Sequence, residues 1–247
     1  MKVLVFDLTG EFAHFRAIYT NSSSISYGFP PRTTLMGIVA AILGYERDSY
    51  YDILSPEKAL FSVSVLSPVR KFMQTINYVK TKEGFGSFKN AVNTYLKRKL
   101  ETYPNPIELI FSPDSVLRYR IYFHSKEEVY DKLKDRLENG KSFFSIYLGI
   151  TEFLADVEYV EELEVKPPMK DKGIRSVIPE AYFDRIDFSK NLSLIIENMP
   201  FHFEMEGNYR KVKKVKRFIY ERDAREIPLR NYEGVISVNG ENIIWME

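Results

Sequence analysis

Residues 26–44 (Ser-Tyr-Gly-Phe-Pro-Pro-Arg-Thr-Thr-Leu-Met-Gly-Ile-Val-Ala-Ala-Ile-Leu-Gly) restrict the possible folds more than any other stretch. Pro30 and Pro31 fix φ and block a helix upstream of themselves. Thr33 or Thr34 is suited to cap the first free N–H groups, and Gly44 suits the left-handed residue that ends a helix. Positions 35–43 carry no charge and no strongly polar side chain. The sequence therefore predicts a short helix over 34–43 that is buried all round. Arg32 would stand at its N-terminus beside unpaired backbone donors, a place suited to holding a phosphate.

A chain of 247 residues can bury one elaborated domain or two small ones. No apolar run approaches the ~20 residues of a membrane span. No opening segment reads as a signal peptide, because Asp7 interrupts the first apolar run. The absence of cysteine excludes disulfides and thiolate metal sites, so a cytoplasmic protein without metal or cofactor is expected. Net charge is only +1, yet the charges are sorted. Residues 70–99 hold eight Lys or Arg against Glu83 alone, and 208–217 hold six with no acid. The stretch 152–164 carries six acids and no base. Sorting of this kind lets one side of a molecule hold a polyanion while another repels it.

Alternation and helical spacing order the rest. Strands are expected at 2–8 and 59–66, a second helix at 126–137 with Val129, Leu133 and Leu137 on one face, and strands at 143–148 and 155–165. A strand–helix–strand opening with an uncharged helix is how a ferredoxin-like (RRM-like) α+β sandwich begins. The stretch 69–123 is too long for a loop. It is expected to be an insertion, with strands at 74–80 and 118–123, a flexible tip at 84–86 and an amphipathic helix at 88–100. Pro167-Pro168 marks a boundary that divides the chain into 1–165 and a β-rich 166–247. The latter ends in a hairpin of 234–238 and 242–246 through Asn239-Gly240.

Three segments together resemble a known family. The run Phe-Pro-Pro-Arg-Thr-Thr-Leu-x-Gly at 29–37 follows Gly-Glu-Phe-Ala-His-Phe-Arg at 10–16, and Tyr-Leu-Gly-Ile-Thr-Glu-Phe-Leu-Ala-Asp-Val occupies 147–157. The chain is thereby similar to the CRISPR-associated Cas-five family of the RAMP superfamily, most like subtype I-B. The resemblance spans about residues 1–165. It implies a RAMP domain with a protruding thumb and a non-catalytic role in a type I interference (Cascade) complex. There the protein would hold the 5′ handle of the guide RNA, touch the backbone subunit through its thumb, anchor the large subunit, and meet target DNA only indirectly. It also implies Arg16 and Arg32 as handle contacts, with Tyr78, Lys80, Lys82 and Lys89 reaching along the guide from the thumb.

The residues themselves offer RNA a Ser/Thr/Tyr-rich loop at 19–27 flanked by Arg16 and Arg32, with Thr33 at the helix start. Tyr27 is a stacking candidate, and His14 is an RNA-facing or hydrogen-bonding side chain. A metal-independent endoribonuclease is the alternative. It would need a base, an acid and a cation on the scissile phosphate, and His124, Lys126 and Tyr45 are the candidates. His202 alternates with Phe201 and Phe203, which places it on an exposed strand face. No phosphate-binding glycine loop, zinc spacing or nucleophile elbow occurs. The basic run at 210–217 suits either an RNA backbone or a partner protein.

Overall fold

The computed structural model describes residues 1–20, 24–79, 92, 102–114 and 116–247. The expected tip at 84–86 and helix at 88–100 lie outside the described residues, as do Lys80, Lys82 and Lys89. A four-stranded antiparallel sheet in the order β5-β8-β1-β9 forms the centre. Its strands are β1 (Lys2–Gly10), β5 (Ala59–Val65), β8 (Leu117–Ser125) and β9 (Asp156–Glu164). Helix α1 (Arg32–Leu43) precedes β5, and helix α2 (Glu127–Glu138) lies between β8 and β9.

The period-two pattern of β1 explains why it is buried on both faces. Leu4, Phe6 and Leu8 join the main core with Leu35, Val39 and Ile42 of α1 and Leu133 of α2. Val3 and Val5 point the other way, against Tyr122 and against Val238 and Ile243. Those last two belong to the hairpin of β13 (Ile236–Val238) and β14 (Glu241–Ile243). Asn239 and Gly240 join these strands with φ of 52° and 71°, the two left-handed residues of a type I′ turn. On the same face Arg120 forks onto Asp7 at 2.8 and 3.0 Å.

No residue of α1 is exposed, as its composition requires. Its end is also as expected, with Gly44 at φ 81°. Its start is not. Pro31 is the N-cap, without a side-chain cap, and its carbonyl accepts the N–H groups of Thr34 and Leu35 at 2.8 and 3.0 Å. Proline supplies the extended backbone that an N-cap needs, so no threonine hydroxyl is used.

Two strand assignments are corrected. Residues 118–123 are not the insertion's second strand; they lie in β8, central in the main sheet. The ribbon is instead β6 (Arg70–Val79) against β7 (Thr102–Phe111), in register from Arg70↔Phe111 to Val79↔Thr102. Residues 143–148 form no sheet strand. Phe143 and Phe144 donate their N–H groups to Ile42 and Ala41 carbonyls at the end of α1, which holds the segment as a loop.

The remaining strands are β2 (Phe12–Ala13), β3 (Phe15–Arg16), β4 (Ser26–Tyr27), β10 (Ile178–Pro179), β11 (Leu194–Glu206) and β12 (Tyr209–Glu221). The last three make a sheet in the order β10-β12-β11. Met199, Phe201, Phe218, Tyr220 and Met246 enter the main core, so 166–247 shares an interior with 1–165. A smaller core of Ile174, Ile178, Ile186, Ile219, Ile227 and Leu229 lies within the C-terminal region. No helix among the described residues is long and apolar enough to cross a membrane.

Candidate nucleic-acid interface

A groove of about 830 Å³ runs along α1. Five segments line it: residues 14–20, the Pro31-to-Ala41 face of α1, the turn after Gly44, the loop around Phe144–Ile150, and Pro200, Phe203 and Arg210 of the β11–β12 hairpin. Arg16 enters from β3, exposed beside buried Phe15, because successive strand residues face opposite ways. Thr33 and Thr34 bring the first turn of α1 to the groove wall. Arg47 stands on the turn, with its side chain 89 % exposed and 3.3 Å from Asp48. At that exposure the ion pair contributes at most about 1 kcal/mol and leaves the guanidinium available to a phosphate.

Arg210 meets the groove from β12, two residues beyond the hairpin turn. Its guanidinium carbon lies 4.7 Å from the centroid of the Phe203 ring. Nη1 donates to the Tyr51 hydroxyl at 3.4 Å and stands 4.0 Å from Asp48. Tyr51 donates in turn to Asp48 and meets Phe203 edge-on at 5.7 Å. Tyr50 packs on Tyr51 at 4.9 Å, and Tyr45, Tyr50 and Tyr147 line the groove. Sequence reasoning passed over Arg47, Tyr50, Tyr147 and Phe144. Arg47 and Tyr50 sit in the charged, aromatic run 45–51 directly after the helix-ending glycine, which was the available signal.

The structure corrects two of the expected RNA contacts. Arg32 is 0 % exposed. Its Nη2 donates to the Leu54 and Ala59 carbonyls at 3.2 and 2.7 Å, Nη1 reaches Met36 Sδ at 3.0 Å, and Nε reaches Glu247 at 3.2 Å. Phe61 and Phe201 rings lie 5.3 and 5.1 Å from its carbon. Burial lowers its pKa, and Glu247 opposes that shift. It joins the interior and meets no solvent. Tyr27 is likewise fully buried, its hydroxyl accepting from the Ile18 N–H at 3.3 Å, and desolvation pushes it up to about 12.

His14 lines the groove wall but is 3 % exposed and takes the hydrogen-bonding role of the two expected for it, bridging the Glu108 carbonyl at Nδ1 and Ser24 Oγ at Nε2, both at 2.8 Å. The Glu108 carbonyl can only accept, so Nδ1 carries the proton and Nε2 accepts from Ser24. Desolvation lowers the His14 pKa, which favours this neutral form. Arg16 and Thr33 do line the groove. Tyr78 lies far out on the ribbon, with its ring 6.1 Å from that of Tyr103.

The candidate catalytic residues are not gathered in the groove. Tyr45 lines it; His124 and Lys126 do not. His124 Nδ1 bonds the Lys2 carbonyl at 2.8 Å and its ring meets Tyr130, while Lys126 is the N-cap of α2. His202 is buried rather than exposed, because β11 bulges on both sides of it and breaks the alternation. The basic run of β12 is partly neutralised by Lys211–Glu206 at 3.0 Å, Lys213–Glu204 at 3.2 Å and the Arg217–Glu180 pair.

The ribbon is fastened to β4, the strand paired with β3 behind the groove. Lys71 Nζ donates to the Ser26 carbonyl at 2.6 Å and to Glu197 at 3.0 Å, and Glu197 also accepts the Gly28 N–H at 3.0 Å. Glu108 accepts the Ser26 N–H at 3.0 Å. Burial raises the Glu197 pKa and Lys71 counters it.

Two solved structures share this fold. One, titled "CRISPR RNA-guided surveillance complex", is 14 % identical with a TM-score of 0.55, covering 92 % of this chain and 91 % of that one. The other, a CRISPR protein from Archaeoglobus fulgidus, is 17 % identical with a TM-score of 0.54 and 98 % coverage of both. No curated protein matches the chain in sequence. The family model of the CRISPR-associated protein (Cas_Cas5) matches residues 3–238, nearly the whole length, and the chain belongs to that family.

Proposed function

We propose that the protein is a non-catalytic subunit of a type I CRISPR interference complex that holds the 5′ handle of the guide RNA in the groove along α1. The observation that carries this reading is the convergence of exposed Arg16 and Arg47 with Thr33 and Thr34 on one groove, in a member of this family. Cations and hydroxyls set along a groove recognise phosphates and 2′-hydroxyls without reading sequence. The β5-β8-β1-β9 order, with one helix before β5 and another between β8 and β9, supports a ferredoxin-like core. The ribbon of β6 and β7 is then the root of a thumb that follows the guide toward a backbone subunit. The large subunit and, indirectly, target DNA complete the assembly, in a cytoplasmic setting.

The separation of Tyr45 from His124 and Lys126 favours holding over cutting. Measuring affinity for a single-stranded handle RNA across salt tests the reading. Each phosphate contact contributes about −0.7 to the log–log slope, so the Arg16→Ala and Arg47→Ala substitutions are each expected to flatten it by about that amount. A flat slope in the unaltered protein overturns RNA holding. A discrete, EDTA-resistant product lost on His124→Ala overturns the non-catalytic part.

A further inference from the structure

Among the described groove arginines, Arg210 is set apart by resting on an aromatic ring, whereas Asp48 lies near both Arg47 and Arg210. The guanidinium lies on Phe203, is fixed by Tyr51, and has Asp48 at 4.0 Å, yet its side chain remains 48 % exposed and faces the groove. Two consequences follow from the chemistry. The plane is ordered before any ligand arrives, so little side-chain entropy is left to lose on binding. The nearby carboxylate offsets the charge and repels an anion, so a phosphate gains less here than at Arg16.

A flat, uncharged π-surface suffers no such repulsion and can stack on a guanidinium plane. Tyr50 and Tyr147, lining the same groove, add aromatic surface near it. We infer that Arg210, on its Phe203–Tyr51–Asp48 support, is a stacking platform for one unpaired nucleobase. The site adds recognition of a splayed base to the phosphate contacts of the groove. The inference rests on the groove reading and goes beyond it by naming the ligand group and the residue that meets it.

The probe is an eight-nucleotide oligoadenylate with 2-aminopurine, or an abasic residue, placed at each position in turn. One position is expected to show a rise in 2-aminopurine emission on binding the unaltered protein, as the base leaves its quenching neighbours, and the largest loss of affinity when abasic. Removing a stacking partner costs on the order of five- to hundred-fold in affinity. Arg210→Ala is expected to reduce binding within that range, to abolish the emission change at that position, and to make the abasic RNA bind no worse than the complete one. Arg210→Lys keeps the charge and the hairpin position but lacks the plane, and is expected to resemble Arg210→Ala.

If Arg210→Lys restores full affinity, or abasic substitution is neutral everywhere while the oligonucleotide still binds, the platform is refuted and the groove reading stands. If the oligonucleotide does not bind the unaltered protein at any salt concentration, both fall together. Thermal unfolding of both variants within a few degrees of the parent keeps a folding defect from imitating the expected loss.

Discussion

Replacing Arg32 separates an interior role from a phosphate contact more sharply than any other change. Truncation to alanine deprives two buried carbonyls, of Leu54 and Ala59, of their donor. Each such loss costs about 1–3 kcal/mol. It also strips Glu247 of its ion-pair partner, and breaking a buried pair costs about 3–5 kcal/mol. The Glu247 side chain is 23 % exposed and can turn toward water, so its share falls at or below the lower end. A total of about 2–9 kcal/mol, centred near 5, is expected. In a chain of this size each kcal/mol shifts Tm by about 2–4 °C, which places Arg32→Ala some 10–20 °C below its parent.

An exposed arginine would change stability by no more than about 0.5 kcal/mol. The assay is urea denaturation together with the salt dependence of RNA binding, both at a temperature where the variant is folded. The interior role predicts a large stability loss and an unchanged salt slope. A variant as stable as its parent, with a slope flatter by about 0.7, would refute the reasoning and return Arg32 to the RNA.

Three further outcomes are expected. Burial holds the Glu197 pKa above its ordinary 4.5, so the folded state binds that proton more tightly than the unfolded one. Its contribution to stability is greatest below 4.5 and declines as pH rises through the higher folded value; Glu197→Gln should flatten that decline in denaturation curves measured from pH 4 to 8, and an unchanged profile contradicts it. Gly149 has φ 98°, and a Cβ there would lie 2.0 Å from the His14 carbonyl oxygen. Gly149→Ala should therefore cost at least the roughly 1–3 kcal/mol of such backbone strain, with a loss under about 0.5 kcal/mol counting against the geometry. Lys71→Met removes the donor shared by Ser26 and Glu197, so hydrogen exchange should quicken in residues 24–28 as well as in the ribbon; acceleration confined to the ribbon would show that the two are not joined.

What could be read from the sequence was whatever local chemistry decides. The uncharged run at 35–43 could only be an enclosed helix, and Asn239-Gly240 could only be a tight turn. The ribbon was mispaired because Pro104 and Pro106 disguise β7, whereas β8 has the cleaner alternation of Leu117, Tyr119, Ile121 and Phe123. Residues 143–148 carry strand-like side chains, but the Phe143 and Phe144 N–H groups are taken by the end of α1 and that of Leu148 by the Phe153 carbonyl.

Arg16 and Thr33 line the groove because a strand and a helix start place them there, Arg16 exposed and Thr33 buried. Arg32 misled, since a lone arginine after two prolines gives no hint that carbonyls 22 and 27 residues onward and a carboxylate at 247 converge on it. Arg210 was hidden inside a uniform basic run, and only the fold reveals that its guanidinium rests on the Phe203 ring beside the groove.

The knot of Lys71, Glu108, Glu197 and the 26–28 backbone clamps the root of the ribbon to β4, which pairs with β3, the strand that carries Arg16. Tension on that root is thus shared, through a two-residue ladder, with the backbone beneath a groove cation.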